Sequence, residues 1–160
     1  MENIVSDNES IVRILNQDWF EEGELMHVAF ALRRNETYLS VNRPAIETFG
    51  NDVAEFVKSH SQYLFSNKTY RGAILNVGEV RNIKVKIADT IVDIDVEVES
   101  RDTHTKSHAG IFTRNQNKNI KSGSSIYIPS LKENVSADNI LLKVRFKLLK
   151  LSKVEEKQLV

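Results

Sequence analysis

The clearest alternation of hydrophobic and polar residues lies in residues 83–100, with the sequence IKVKIADTIVDIDVEVES. Apolar side chains alternate with lysines in the first half and with aspartates and glutamates in the second half. A period of two residues is typical of a β-strand with one buried face. The stretch therefore predicts an antiparallel hairpin around which a sheet is built.

The register of this hairpin follows from the requirement that apolar residues meet apolar residues. Pairing Ile87 with Val92 buries one face of both strands and places Lys86 opposite Asp93. A slip of one residue would set every lysine against an apolar side chain. The turn then falls at Asp89 and Thr90 as a two-residue loop, or at residues 88–91 as a four-residue loop.

The rest of the chain predicts further helices and strands. Apolar positions at helical spacing predict a short helix that begins at Glu9 and ends before Gly23. They also predict a helix that opens at Pro44 and ends near His60, or two short helices divided near Gly50. Alternating or continuous apolar residues predict strands at 25–32, 38–41, 72–77 and 126–128. Residues 113–125 are rich in Asn, Lys, Gly and Ser, which predicts a mobile surface loop.

Residues 140–151 fit two patterns. A helix gives a continuous apolar seam but leaves Arg145 on its apolar side and Phe146 near its polar side. A strand accommodates every residue from 142 to 148, so we favour the strand, and the helix stays open. A basic strand at residues 140–151 could pair with the acidic half of the hairpin, which has the opposite charge.

These elements predict a single α+β domain with a mainly antiparallel, twisted sheet, built around the central hairpin and covered by one or two helices. The chain of 160 residues has no linker rich in Pro, Gly or Ser that would divide it. We expect residues 1–8 to be disordered, residues 9–153 to form the domain, and residues 154–160 to form a C-terminal tail.

The composition is that of a globular protein, with 41% hydrophobic and 28% charged residues. The absence of cysteine excludes disulfides, thiolate catalysis and cysteine-ligated zinc. No apolar run approaches the roughly 20 residues of a membrane span, and the N-terminus lacks the pattern of a secretory signal. We therefore expect a soluble, cytoplasmic protein without a membrane partner.

The net charge of zero hides a gradient, because residues 1–60 carry a net charge of −6 and residues 101–160 a net charge of +7. The simpler interpretation is that the basic segment packs beside the acidic one. The alternative is a basic surface for nucleic acid. Its candidate contact residues are Arg114, Lys118 and Lys121.

The densest group of reactive side chains follows the hairpin. His104, His108 and Asp102 supply acid–base groups, and Arg101 could hold an anion. The spacing of the two histidines also occurs in metal-binding helices, but the polar sequence between them is more typical of a loop. We therefore predict no metal site here.

A second polar group precedes the long helix. Its arginines are candidates for binding an anionic part of a substrate, provided that the fold brings this group to the histidines. The group consists of Arg33, Arg34, Glu36, Ser40 and Arg43.

Familiar catalytic and cofactor motifs are absent from the sequence, among them GxGxxG, the phosphate-binding loop, GxSxG, HExxH and the EF-hand loop. The sequence therefore favours a binding or protein-interaction module without a cofactor, with a protein partner or self-association as the expected mode. One alternative is a small enzyme that acts on a phosphorylated or nucleotide-like substrate through His104 or His108 and the arginines. Another is nucleic-acid binding through the basic C-terminal third.

Overall fold

The computed structural model describes residues 4–103 and 105–159. Its α-helices are α1 (Phe49–Ser59), α2 (Val77–Arg81) and α3 (Ala137–Leu151), and its 3-10 turns are Gln17–Trp19, His27–Phe30, Ser61–Tyr63 and Ser66–Lys68. Its strands are β1 (Ser10–Ile14), β2 (Phe20–Glu21), β3 (Glu24–Leu25), β4 (Leu39–Asn42), β5 (Thr69–Asn76), β6 (Lys86–Ile87), β7 (Thr90–Ile91), β8 (Asp95–Ser100), β9 (His108–Asn115), β10 (Lys118–Asn119), β11 (Ser125–Ile128), β12 (Glu133–Ser136) and β13 (Lys153–Gln158). Within the described ranges no helix is long and apolar enough to cross a membrane.

The main sheet has seven strands in the order β10-β9-β4-β1-β5-β13, with β8 also paired to β9. Every one of these pairings is antiparallel. The other six strands form the two-stranded ribbons β2–β3, β6–β7 and β11–β12. The predicted α+β class with a mainly antiparallel sheet is confirmed.

Helices cover both faces of this sheet. Ile11 belongs to the larger buried cluster, with α2 and α3, whereas the adjacent Val12 belongs to a smaller cluster with α1. Since neighbouring residues of a strand point to opposite faces, α1 lies on the face opposite α2 and α3. The smaller cluster consists of Val12, Ile14, Val53, Val57 and Tyr63.

The helix predicted from Glu9 to before Gly23 is wrong, because its first half is β1, which lies between β4 and β5. Ile11 and Leu15 pack into the larger cluster, and Val12 and Ile14 into the smaller one. A strand with two buried faces is apolar on both sides. Its hydrophobic spacing therefore resembled that of a short helix.

The predicted hairpin is shorter than expected and has another register. β6 and β7 pair Ile87 with Thr90, around a two-residue turn in which Ala88 and Asp89 have φ values of 50° and 65°. Positive φ at both positions is the type I′ geometry that tight hairpins favour. The two-residue turn lies one residue before the predicted Asp89 and Thr90, although within residues 88–91. The pairing is displaced by two residues, so that Lys86 faces Ile91 rather than Asp93.

The acidic strand β8 pairs with β9 instead of with the lysine-containing segment. The N–H of Ile94 donates to the carbonyl of Val92 at 2.9 Å, a three-residue turn that redirects the chain away from the hairpin. Glu99 then meets Arg114 of β9 at 2.5 Å. Glu99 is thus balanced by an arginine from the basic third of the sequence, although not from residues 140–151, and Glu97 is balanced by Arg81 of α2.

Residues 137–151 form helix α3, so the favoured strand is wrong. The helical seam is buried at Ala137, Ile140, Leu141, Val144 and Leu148. Leu142 and Phe146, which a strand would have buried, are 37% and 50% exposed. Because a helix leaves these two apolar side chains exposed and a strand would bury them, the sequence pattern favoured the strand.

The chain ends in a strand where a tail was predicted. β13 pairs with β5 from Lys153 opposite Ile74 to Gln158 opposite Thr69. The strand is mostly charged because it lies at the edge of the sheet, where lysine and glutamate discourage pairing with other chains. At the other terminus, within the segment expected to be disordered, Val5 is buried.

Three further predictions change in detail. The strand expected over residues 25–32 is largely the 3-10 turn His27–Phe30. The helix opened by Pro44 begins only at Phe49, so Gly50 lies in its first turn. The loop expected at 113–125 contains the β9–β10 pairing, and Ile120 is 1% exposed.

Candidate functional site

A pocket of about 300 Å³ lies between α1 and the main sheet. Side chains from β1, β4, α1 and β9 converge on it. The lining residues are Arg13, Ile14, Ser40, Asn42, Asp52, Phe56, Tyr63, Thr105 and His108.

Local sequence periodicity produces this arrangement. In β4, Leu39 and Val41 enter the larger core, so that Ser40 and Asn42 point to the face that carries the pocket. In α1, Asp52 and Phe56 are four residues apart and therefore lie on one side of the helix. The pocket thus has polar groups along the sheet and an aromatic ring on the helix.

Aromatic rings form the apolar wall. The rings of Phe56 and Tyr63 meet edge to face with centroids 4.8 Å apart, and His60 stacks on Phe56 at 4.6 Å. Tyr63 is 8% exposed and Phe56 38% exposed. The wall is therefore anchored at Tyr63 and open to solvent at Phe56.

Asp52 joins α1 to β9 and β4 through Ser107. Its Oδ2 accepts hydrogen bonds from Ser107 Oγ at 2.7 Å, from the Ser107 N–H at 3.2 Å and from Thr48 Oγ1 at 2.9 Å. Asn42 Nδ2 donates to Ser107 Oγ at 3.0 Å. Because Ser107 is fully buried and its hydroxyl bridges Asn42 of β4 to Asp52 of α1, this serine positions the elements of the pocket.

Arg13 fills the place where β1 and β4 separate. These strands share the pair Val12 with Asn42. Beyond that pair, Arg13 Nη1 donates to the carbonyl of Ser40 at 2.8 Å and Nε to the carbonyl of Ala29 at 3.0 Å. Burial lowers the pKa of the Arg13 guanidinium to about 10, so the group is still a cation at neutral pH.

His108 opens β9 and lies opposite Asn42. Its Nδ1 lies 3.0 Å from the carbonyl oxygen of Arg101, whose N–H donates to the carbonyl of His108 at 2.8 Å. A carbonyl oxygen only accepts, so the proton of the neutral ring belongs on Nδ1. The lone pair of the neutral ring is then on Nε2.

The predicted catalytic group is brought to the pocket in part. His108 lines it, whereas Asp102 is exposed on the connection between β8 and β9. His104 lies outside the described residues. Thr105, from the same connection, completes this side of the lining.

The predicted anion-binding arginines have three different surroundings. Arg101 is exposed, with its guanidinium 5.1 Å from the ring centroid of Tyr38. Arg43 is 3% exposed and donates from Nε and Nη2 to Glu9 at 2.9 and 2.8 Å, so it stabilises the fold. Arg33 and Arg34 are exposed before β4 and are not among the lining residues.

The predicted nucleic-acid contacts lie on β9, on β10 and just beyond β10. Arg114 donates to both carboxylate oxygens of Glu99, at 2.5 and 2.9 Å. This pairing lowers the pKa of Glu99. A phosphate would have to compete with Glu99 for Arg114, while Lys118 and Lys121 are exposed.

Among the described residues, no group of three or more His, Asp or Glu side chains is placed to hold a metal ion.

Four residues of the lining were not predicted from the sequence: Arg13, Asp52, Phe56 and Tyr63. The available signal was an arginine within the apolar run IVRIL, where a cation needs a special environment. Ser40 was predicted as part of the second polar group and His108 as part of the first, and both line the same pocket.

We compared the chain with protein-family models, with curated proteins and with solved structures, and none of the three comparisons gives a match.

Proposed function

We propose that the protein is a binding module for a small molecule and that the ligand occupies the pocket under α1. The observation that carries this proposal is the convergence of a cation, a carboxylate, an imidazole and two aromatic rings on one pocket of about 300 Å³. Known ligand sites have volumes of ~300–1,000 Å³ and combine an apolar lining with a few fixed polar groups. The volume therefore corresponds to a small ligand.

The hydrogen bonds around the pocket support binding more than turnover. Ser107 donates to Asp52, and Asn42 donates to Ser107. These contacts prepare a rigid wall, which reduces the entropy lost on binding. Recognition of a protein partner and self-association, expected from the sequence, stay predictions.

An enzymatic role is the second candidate, and the orientation of His108 favours it. The contact between Nδ1 and the Arg101 carbonyl fixes the imidazole in the lining of the pocket, where an acid–base group would act on a bound substrate. An enzyme would convert a bound substrate at a rate that depends on His108. A binding module would bind its ligand and release it unchanged.

Binding is tested by NMR titration of the ¹⁵N-labelled protein with benzamide, a small neutral aromatic probe. We expect shift changes at the amides of Ser40, Asn42 and His108. Ser40 is exposed on β4, so Ser40→Phe should fill the pocket and suppress the changes. Ser10→Phe, at an exposed position of β1, should retain them. Changes confined to other surfaces, or unchanged in Ser40→Phe, would disprove the proposed site.

A further inference from the structure

Arg13 differs from the four arginines that form ion pairs with carboxylates in the described residues. Arg43 meets Glu9, Arg71 meets Glu156, Arg81 meets Asp7 and Glu97, and Arg114 meets Glu99. Within residues 4–103 and 105–159, Arg13 makes no such ion pair, and its assigned partners are two backbone carbonyls and the ring of Trp19. The pocket therefore contains a cation whose charge is not balanced by direct contact with a described carboxylate.

The guanidinium also has donors left for a ligand. An arginine has five N–H groups in a planar fork that suits the two oxygens of a carboxylate. The structure assigns one N–H on Nε and one on Nη1 to the carbonyls of Ala29 and Ser40. These bonds fix the plane of the group, so its remaining donors are oriented before a ligand arrives.

The other charged group of the pocket limits the charge of the ligand. Asp52 lines the same pocket, and a carboxylate repels an anion. Its Oδ2 is surrounded by three donors from Thr48 and Ser107, which offset part of the negative charge on that oxygen. The Arg13 fork can pair with one carboxylate, whereas a second negative charge would gain no further cation from the lining and would be repelled by Asp52. The pocket therefore favours a ligand group with a single negative charge over a phosphate with two.

We infer that the pocket binds a small monoanionic carboxylate whose flat, apolar part packs against Phe56 and Tyr63, with Arg13 holding the carboxylate. This inference rests on the proposed function, since it names the chemical class of the ligand of the same pocket. The edge-to-face pair of Phe56 and Tyr63 supplies a wall against which an aromatic ring can lie.

The inference is tested with benzoate and benzamide, which have almost the same size and shape but differ in charge. Charge-assisted hydrogen bonds are the stronger ones, so we expect benzoate to bind at least about tenfold more tightly than benzamide in an NMR titration at pH 7. Phenyl phosphate should bind more weakly than benzoate. Each titration reports the position of the probe through the amides of Ser40, Asn42 and His108.

Variants of Arg13 test whether this side chain causes the preference for benzoate over benzamide. Arg13→Gln should remove the difference between benzoate and benzamide, and Arg13→Lys should keep part of it. Arg71→Gln is the control, because Arg71 also contacts aromatic rings, Phe20 and Phe65, but lies outside the lining of this pocket. If Arg13→Gln fails to fold, the difference in affinity between benzoate and benzamide for the unaltered protein still tests the inference.

The outcomes separate this inference from the proposed function. Equal binding of benzoate and benzamide in the pocket would overturn the inference and leave the binding module in place. Tighter binding of phenyl phosphate would overturn the restriction to a single negative charge. Binding of neither aromatic probe would overturn both the inference and the proposed function.

Discussion

The hydroxyl of Ser107 donates to Asp52 Oδ2 at 2.7 Å across 55 residues of sequence. This contact attaches α1, which carries Asp52 and Phe56, to the segment immediately before β9, whose first residue is His108. The Ser107 hydroxyl oxygen in turn accepts a hydrogen bond from Asn42 Nδ2 of β4. The position of the pocket wall therefore depends on one buried hydroxyl.

Replacement of this hydroxyl should destabilise the protein. Ser107→Ala leaves Asn42 Nδ2 without its acceptor and removes one of the donors to Asp52, so we expect a loss of about 1–3 kcal/mol in the free energy of unfolding. Urea denaturation measures it. Ser122→Ala is the control, because half-buried Ser122 donates to Asp138 at the same 2.7 Å in a hydrogen bond that is exposed to solvent, and its loss should stay within about 0.5 kcal/mol. Equal losses in the two variants would contradict the role given to Ser107.

The ion pair of Arg43 and Glu9 should contribute more to the free energy of unfolding than an exposed ion pair does. The side chains are 4% and 13% exposed, so Arg43→Ala leaves a carboxylate in poorly solvated surroundings and should cost about 3 kcal/mol or more. The pair of Arg71 and Glu156 is more exposed, and Arg71→Ala should cost at most about 1 kcal/mol through its ion pair. Chemical denaturation of both variants under one condition makes the comparison. A smaller loss for Arg43→Ala than for Arg71→Ala would be inconsistent with this account.

Stability should also depend on pH through Glu9. The hydrogen bond from Arg43 lowers the pKa of Glu9 below its ordinary value of 4.5. A carboxyl with a lowered pKa in the folded state stabilises the protein above its ordinary pKa, and this contribution is lost as the pH falls through the folded-state pKa. In Glu9→Gln we expect a lower stability at pH 7 and a shallower decline on acidification below pH 4.5. Unfolding curves from neutral to acidic pH test this, with Glu156→Gln as an exposed comparison, and an unchanged acid slope in Glu9→Gln would speak against it.

Helix α3 can be distinguished from the strand that the sequence favoured. A strand would bury Leu148 and Phe146 on the same face, but in the helix Leu148 is 2% exposed and Phe146 is 50% exposed. Leu148→Ala should therefore cost about 2–5 kcal/mol, while Phe146→Ser should cost much less. Thermal unfolding of the two variants gives the comparison, and similar large losses for both would support the strand instead.

The sequence predicted the fold class because alternation and turn positions are local properties. β4, β5, β8 and β11 coincide largely with predicted or alternating segments, and the turn at Ala88 and Asp89 lies within the predicted four residues. The pairing of β8 with β9 was not predictable, because it depends on a change of direction at Ile94 that local patterns do not show.

The errors have related physical causes. β1 has apolar residues on both faces, α3 exposes Leu142 and Phe146, and β13 is a charged edge strand. In each case burial is decided by neighbours that are distant in sequence, which overrides the local pattern. His108 and Ser40 were identified because they are polar and close to strand ends. Arg13 and Asp52 were missed because their significance arises only when β1, α1 and β9 come together.

The central claim is that the pocket binds a small carboxylate through Arg13. A crystal soaked with 4-bromobenzoate tests it most directly, since the anomalous signal of bromine locates the probe and shows its orientation. We expect the carboxylate within hydrogen-bonding distance of the Arg13 guanidinium and the ring against Phe56 and Tyr63. Bromine found only at other surfaces, or in the pocket with the carboxylate pointing away from Arg13, would contradict the claim.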